Sequence, residues 1–89
     1  MTGVAIKGMS NDIEKSYSKT AAGIWHAELW PELDANLQVH AWVLLIDCGA
    51  EAYLRDYGDF QTAKRAYDGL RSYSDVLRFA RQKGTSQAL

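Results

Sequence analysis

Cysteine and proline occur once each in the 89 residues, as Cys48 and Pro31. One cysteine allows no intrachain disulfide and no multi-cysteine zinc site. The longest uninterrupted apolar run, Ala41 to Ile46, is far too short to span a bilayer. The opening "MTGVAIKGMSND" contains no apolar stretch of signal-peptide length, so the expected location is cytoplasmic and away from membranes. No glycine-rich phosphate loop is present, Gly49 and Gly58 being lone turn glycines. Net charge is only −1, which lacks the strong basic excess of a nonspecific nucleic-acid binder.

Hydrophobic residues make up 47% of the chain and charged residues 24%, a globular balance that argues against disorder. The length suits one domain. Residues 1–9 read as a flexible N-terminus, 10–84 as a single α+β domain and 85–89 as a flexible tail. The charge is unevenly placed. Residues 1–20 sum to +1, residues 21–60 to −6 and residues 61–89 to +4.

In "SNDIEKSYSKTAAG", Asn11 and Glu14 have capping-box spacing, and Ile13, Tyr17 and Ala21 recur every fourth residue. This predicts a short helix ending near Gly23, although the serines and threonine suit a strand as well. Trp25, Ala27 and Leu29 then alternate with His26 and Glu28, as in a half-buried strand. "PELDAN" supplies turn formers. Leu37 to Asp47 is apolar on both alternating sets, the mark of a central strand. "EAYLRDYGDF" reads as a third strand. From Thr62 to about Lys83, a stripe through Ala63, Ala66, Tyr67, Leu70, Tyr73, Leu77 and Ala80 predicts one long helix, with Thr62 as N-cap and Gly84 as stop. Lys64, Asp68, Arg71, Asp75 and Arg78 form a ladder of alternating charge on its other side, which accounts for much of the basic residue content. The expected fold is a three-stranded antiparallel meander packed on a long C-terminal helix, with a possible short N-terminal helix.

With Cys48–Gly49 as a two-residue loop, Leu45, Val43 and Ala41 would share a face with Ala52, Leu54 and Asp56. Placing Ala27 opposite Ala41 adds Trp25, Ala27 and Leu29 to that face, beneath the helix. The other face would then hold His26, Glu28, Trp30, His40, Trp42, Leu44, Ile46, Tyr53, Arg55 and Tyr57. An apolar sheet face without a helix has to be closed by the N-terminal segment, a second copy or a partner. The candidate protein-binding residues are accordingly His26, Trp30, His40, Trp42, Leu44, Tyr53, Arg55 and Tyr57. Within this set, Arg55 over Trp42 would be a cation–π pair typical of interfaces.

Chemical sites are weaker. His26, Glu28 and His40 could approach as two imidazoles and a carboxylate, but HxE spacing is common and no fourth ligand is apparent, so no metal and no cofactor are expected. Cys48 lies beside Asp47, whose charge opposes thiolate formation. A catalytic role for Glu28 with Asp56 fails because the expected register puts them on opposite faces. No enzyme is expected.

"GIW" opening a strand and "GDFQTAKRAYDGL" leading from strand to helix resemble the three-stranded DNA-binding domain of phage tyrosine integrases over residues 23–72. The likeness is carried by Gly58, Phe60, Thr62 and Ala66. It implies a β-β-β-α fold with the sheet in the DNA major groove, yet the matching face has one arginine, no lysine and the acidic flank "PELD". The α-β-β-β-α order also resembles double-stranded-RNA-binding domains, whose basic helix start is reduced here to Lys64 and Arg65. The leading expectation is a small non-catalytic module that binds another protein or a second copy of itself, as a homodimer. Nucleic-acid binding is the alternative. Small modules of this kind are often encoded by phages and mobile elements as inhibitors of host machinery, anti-CRISPR proteins among them.

Overall fold

A computed structural model describes residues 16–21 and 23–88. Five antiparallel strands follow one another across a single sheet in the order β1-β2-β3-β4-β5. They are β1 (Tyr17–Ala21), β2 (Trp25–Leu33), β3 (Val39–Asp47), β4 (Ala52–Tyr57) and β5 (Ser86–Gln87). Two helices, α1 (Phe60–Asp68) and α2 (Tyr73–Ala80), lie between β4 and β5. Among the described residues the fold is thus α+β, but with five strands and two short helices where three strands and one long helix were expected.

Residues 17–21 form a strand, against the helix predicted there, and the first part of that prediction lies outside the described residues. Tyr17, Lys19 and Ala21 alternate with Ser18 and Thr20, and pairing with β2 satisfies backbone groups that an isolated short helix would leave to water. Gly23, at φ 77°, closes the turn, and the Ile24 N–H reaches the Ala21 carbonyl at 2.7 Å. Within the expected tail, Ser86 and Gln87 pair with Leu54 and Tyr53 as β5.

The long helix is broken at residues 69–72. Asp59, in an extended conformation, caps α1 by accepting the Thr62 N–H at 3.0 Å, so the N-cap lies three residues before the expected Thr62. After Gly69, Leu70 turns inward and is 4% exposed. Ser72 then starts α2, accepting the Asp75 N–H. The interruption rephases the apolar stripe. Val76 and Phe79 face the core, while Tyr73 and Leu77 are exposed.

The core lies between both helices and one sheet face: Trp25, Ala27, Leu29, Trp42, Leu44 and Ile46 meet Ala63, Tyr67, Leu70, Val76 and Phe79. Full burial of side chains such as Leu29, Leu44, Ile46 and Val76 contributes about 1.5–3 kcal/mol each. Trp42 meets Phe60 with ring centroids 4.7 Å apart. Lys19 borders this layer, donating to the Tyr67 carbonyl at 2.6 Å, and its desolvation lowers its pKa against the opposing pull of Asp68.

The expected face assignment is overturned at β2. Ala27 pairs with Ile46, not Ala41, an odd shift that moves every β2 side chain to the other face relative to β3. Between β3 and β4 the connection is Cys48–Glu51, four residues long, so Leu45 pairs with Leu54 and Asp47 with Ala52. That shift is even, and the β3–β4 face groupings survive it. Trp42, Leu44, Ile46, Tyr53, Arg55 and Tyr57 therefore join Trp25, Ala27 and Leu29 on the helix side.

Beyond Leu29, β2 has no partner residue in β1, and β4 pairing stops at Trp42. Residues 31–41 thus form a two-stranded arm among the described residues. At its tip, Asp34 Oδ1 accepts the N–H groups of Asn36 at 2.8 Å and Gln38 at 3.0 Å. Leu37 sits at φ 63°, a left-handed conformation that costs a non-glycine residue about 1–2 kcal/mol.

Candidate functional site

Neither helix covers the opposite sheet face. Strand alternation and register place Ser18, Thr20, His26, Glu28, Trp30, Glu32, Ala41, Val43, Leu45, Asp47, Ala52, Leu54 and Asp56 there. Trp30, Leu45 and Leu54 are half-buried around Val43, which is 3% exposed. Carboxylates of Glu28, Glu32, Asp47 and Asp56 ring this apolar centre. No lysine or arginine stands on the face among the described residues, because Lys19 and Arg55 point to the helix side.

Of the expected binding residues, His26 and Trp30 lie on this open face and keep Glu28 beside them. Trp42 and Leu44 do not; they are buried at 6% and 0% exposure. Tyr53, Arg55 and Tyr57 border the helix layer. The expected Arg55–Trp42 pair does not form. Arg55 lies opposite Leu44, its guanidinium carbon sits 5.2 Å from the Tyr57 ring centre, and it donates to Gln82 at 3.1 Å. Burial raises the Tyr57 pKa, with Arg55 pulling the other way. His40 has no Cα partner, because the register slips between Glu32 and Leu33. Its Nε2 lies 3.2 Å from Glu32 Oε1.

The polar groups form two separate clusters. Thr20 Oγ1 is 2.7 Å from His26 Nδ1, and His26 Nε2 is 2.7 Å from Glu28 Oε2. With the ring neutral, Nε2–H donates to the acceptor-only carboxylate and Nδ1 accepts from the threonine hydroxyl. That order, hydroxyl to imidazole to carboxylate, is the order used to activate nucleophiles. A reacting oxygen would also need donors for the developing oxyanion. Two nearby amides are committed elsewhere: Ile24 N–H to the Ala21 carbonyl, and Gly49 N–H to Asp47 Oδ1 at 2.8 Å. The two contacts hold the His26 ring between Thr20 and Glu28. Sequence spacing alone could have indicated the His26–Glu28 pair, since residues i and i+2 share a strand face; Thr20 needed the β1 pairing.

His26, Glu28 and His40 do not converge, because Glu28 lies opposite Leu45 and His40 belongs with Glu32. Among the described residues no group of three or more His, Cys, Asp or Glu side chains gathers. The Cys48 thiol is held above its ordinary pKa, chiefly by burial and then by Asp47 and Glu51, which makes it a poor nucleophile at neutral pH. A cleft of about 330 Å³ opens beside the start of β1, lined in part by Ser18, Glu28 and Trp30. No helix among the described residues is long and apolar enough to cross a membrane. Compared with family models, curated proteins and solved structures, the chain matches none of them.

Proposed function

We propose that this protein is a non-catalytic binding module that docks on another protein through its open sheet face, with Trp30 at the centre of the contact. One observation carries the reading. Trp30, Val43, Leu45 and Leu54 form an apolar centre inside a polar ring, on the one sheet face that neither helix covers. An aromatic side chain among aliphatics, rimmed by charge, is the usual anatomy of a protein contact. Nucleic acid is the poorer occupant, because phosphate would meet Glu28, Glu32, Asp47 and Asp56 with no lysine or arginine on that face among the described residues.

The test is affinity capture from extracts of the producing cells with the full chain, read by mass spectrometry. Trp30→Ala and Leu45→Asp should lose the captured partner, while Leu77→Ala on the exposed side of α2 should keep it. Retention by both open-face variants, or loss with Leu77→Ala alone, would move the binding surface to the helices.

A further inference from the structure

The arm of residues 31–41 ends in a side chain that the fold does not use. Leu37 is 68% exposed and occupies a left-handed backbone conformation that leucine disfavours. The turn is already organised without it: Asp34 Oδ1 accepts from Asn36 and Gln38, and the Asp34 N–H meets the Gln38 carbonyl at 2.8 Å. Asparagine or glycine would hold the same turn with less strain and no exposed apolar surface. Leu33, 37% exposed and paired with Val39, adds a second apolar side chain near the tip.

Near that tip the charged side chains of the arm are Glu32 and Asp34, with His40 Nε2 3.2 Å from Glu32, and no lysine or arginine occurs between Thr20 and Leu54. Resting on the reading of the sheet face as a protein contact, we propose that Leu37 is the arm's anchor. It enters an apolar cleft on a partner protein whose rim is basic, facing Glu32 and Asp34. A second copy fits poorly. Face to face, it would set the same carboxylates against each other. Its basic segment 61–89 would give a head-to-tail contact that need not close.

Two measurements on the full chain decide this. The first uses aminated β-cyclodextrin, an apolar cavity rimmed with ammonium groups, as the probe, with neutral and carboxylated β-cyclodextrin as controls. Amide shifts should appear at residues 33–39, with the aminated ring binding about fivefold more tightly than the neutral one and the carboxylated ring weakest. Equal binding of the three, or shifts confined to other parts of the chain, overturns the charge-matched anchor. The second is the capture experiment with Leu37→Asn. This variant should raise the thermal midpoint by relieving the backbone and still lower capture about tenfold. Capture lost by Trp30→Ala but kept by Leu37→Asn overturns the anchor and leaves the sheet-face reading intact. Capture indifferent to both overturns the two together.

Discussion

Tryptophan burial separates packing from surface at the level of single residues. Trp42 is 6% exposed and packs tilted against Phe60, so Trp42→Ala removes ring contacts inside the core and should cost about 3–5 kcal/mol. Trp25, 5% exposed, belongs to the same layer and should behave alike. Trp30 is half-buried on the face that neither helix covers, and its truncation should open no enclosed cavity among the described residues; Trp30→Ala should cost about 1 kcal/mol and remain folded. Urea denaturation of the three variants checks the order, and a Trp42→Ala protein as stable as Trp30→Ala would contradict the face assignment. The Thr20–His26–Glu28 chain makes a second residue-scale prediction. If it only orders the strand edge, hydrolysis of p-nitrophenyl acetate should be no faster than with free imidazole, and Thr20→Val should not change it. A rate that falls with both Thr20→Val and His26→Ala would make the chain catalytic.

The helices and the arm depend on short carboxylate caps. Asp59 is held below its usual pKa first by the Thr62 hydroxyl and then by the Thr62 N–H. Hydrogen bonds from the Gln38 and Asn36 N–H groups lower Asp34, and the bond from the Arg71 N–H is the main cause for Asp75. A carboxylate whose folded pKa is depressed stabilises the fold fully above its unfolded value, about 3.9, and loses that contribution as pH falls through the folded value. The urea midpoint should therefore be flat near neutrality and drop below about pH 4. Asp59→Asn, which still caps, should flatten part of that drop, whereas Asp59→Ala should lower the midpoint at neutral pH as well. An acid limb unchanged by Asp59→Asn would remove this cap from the account.

Charge is segregated across the whole molecule. The open face is acidic, and the segment 61–89 is basic, with Lys64 held by Asp68 at 2.8 Å and Arg78 by Asp75 at 3.3 Å. Such exposed pairs are worth little in stability, but they reduce the field that a phosphate backbone would meet. Binding to random duplex DNA or RNA should be undetectable at about 150 mM salt. Sub-micromolar affinity with a steep salt dependence would favour the nucleic-acid-binding alternative. Facing carboxylates should also disfavour the homodimer expected from an apolar sheet face. Sedimentation equilibrium at micromolar concentration should return the monomer mass of 10.0 kDa. A stable dimer that dissociates on Trp30→Ala would overturn that expectation.

The α+β class, the antiparallel strands and the central place of residues 39–47 were legible in the sequence, because alternation and apolar runs report burial directly. Strand β1 was ambiguous, since five residues satisfy a four-residue repeat and a two-residue repeat alike. The helix break was harder to see: Gly69 and Ser72 are its local signals, but only the depth at which Leu70, Val76 and Phe79 meet the sheet decides that an interruption is better than a straight helix. The candidate site turned on one odd step of register. His26, Glu28 and Trp30 could be grouped from spacing alone, since alternation is internal to a strand. Which residues of β3 and β4 accompany them depends on how β2 pairs across the "PELDANLQ" turn. That pairing is set by packing against the helices, and so by the tertiary structure alone.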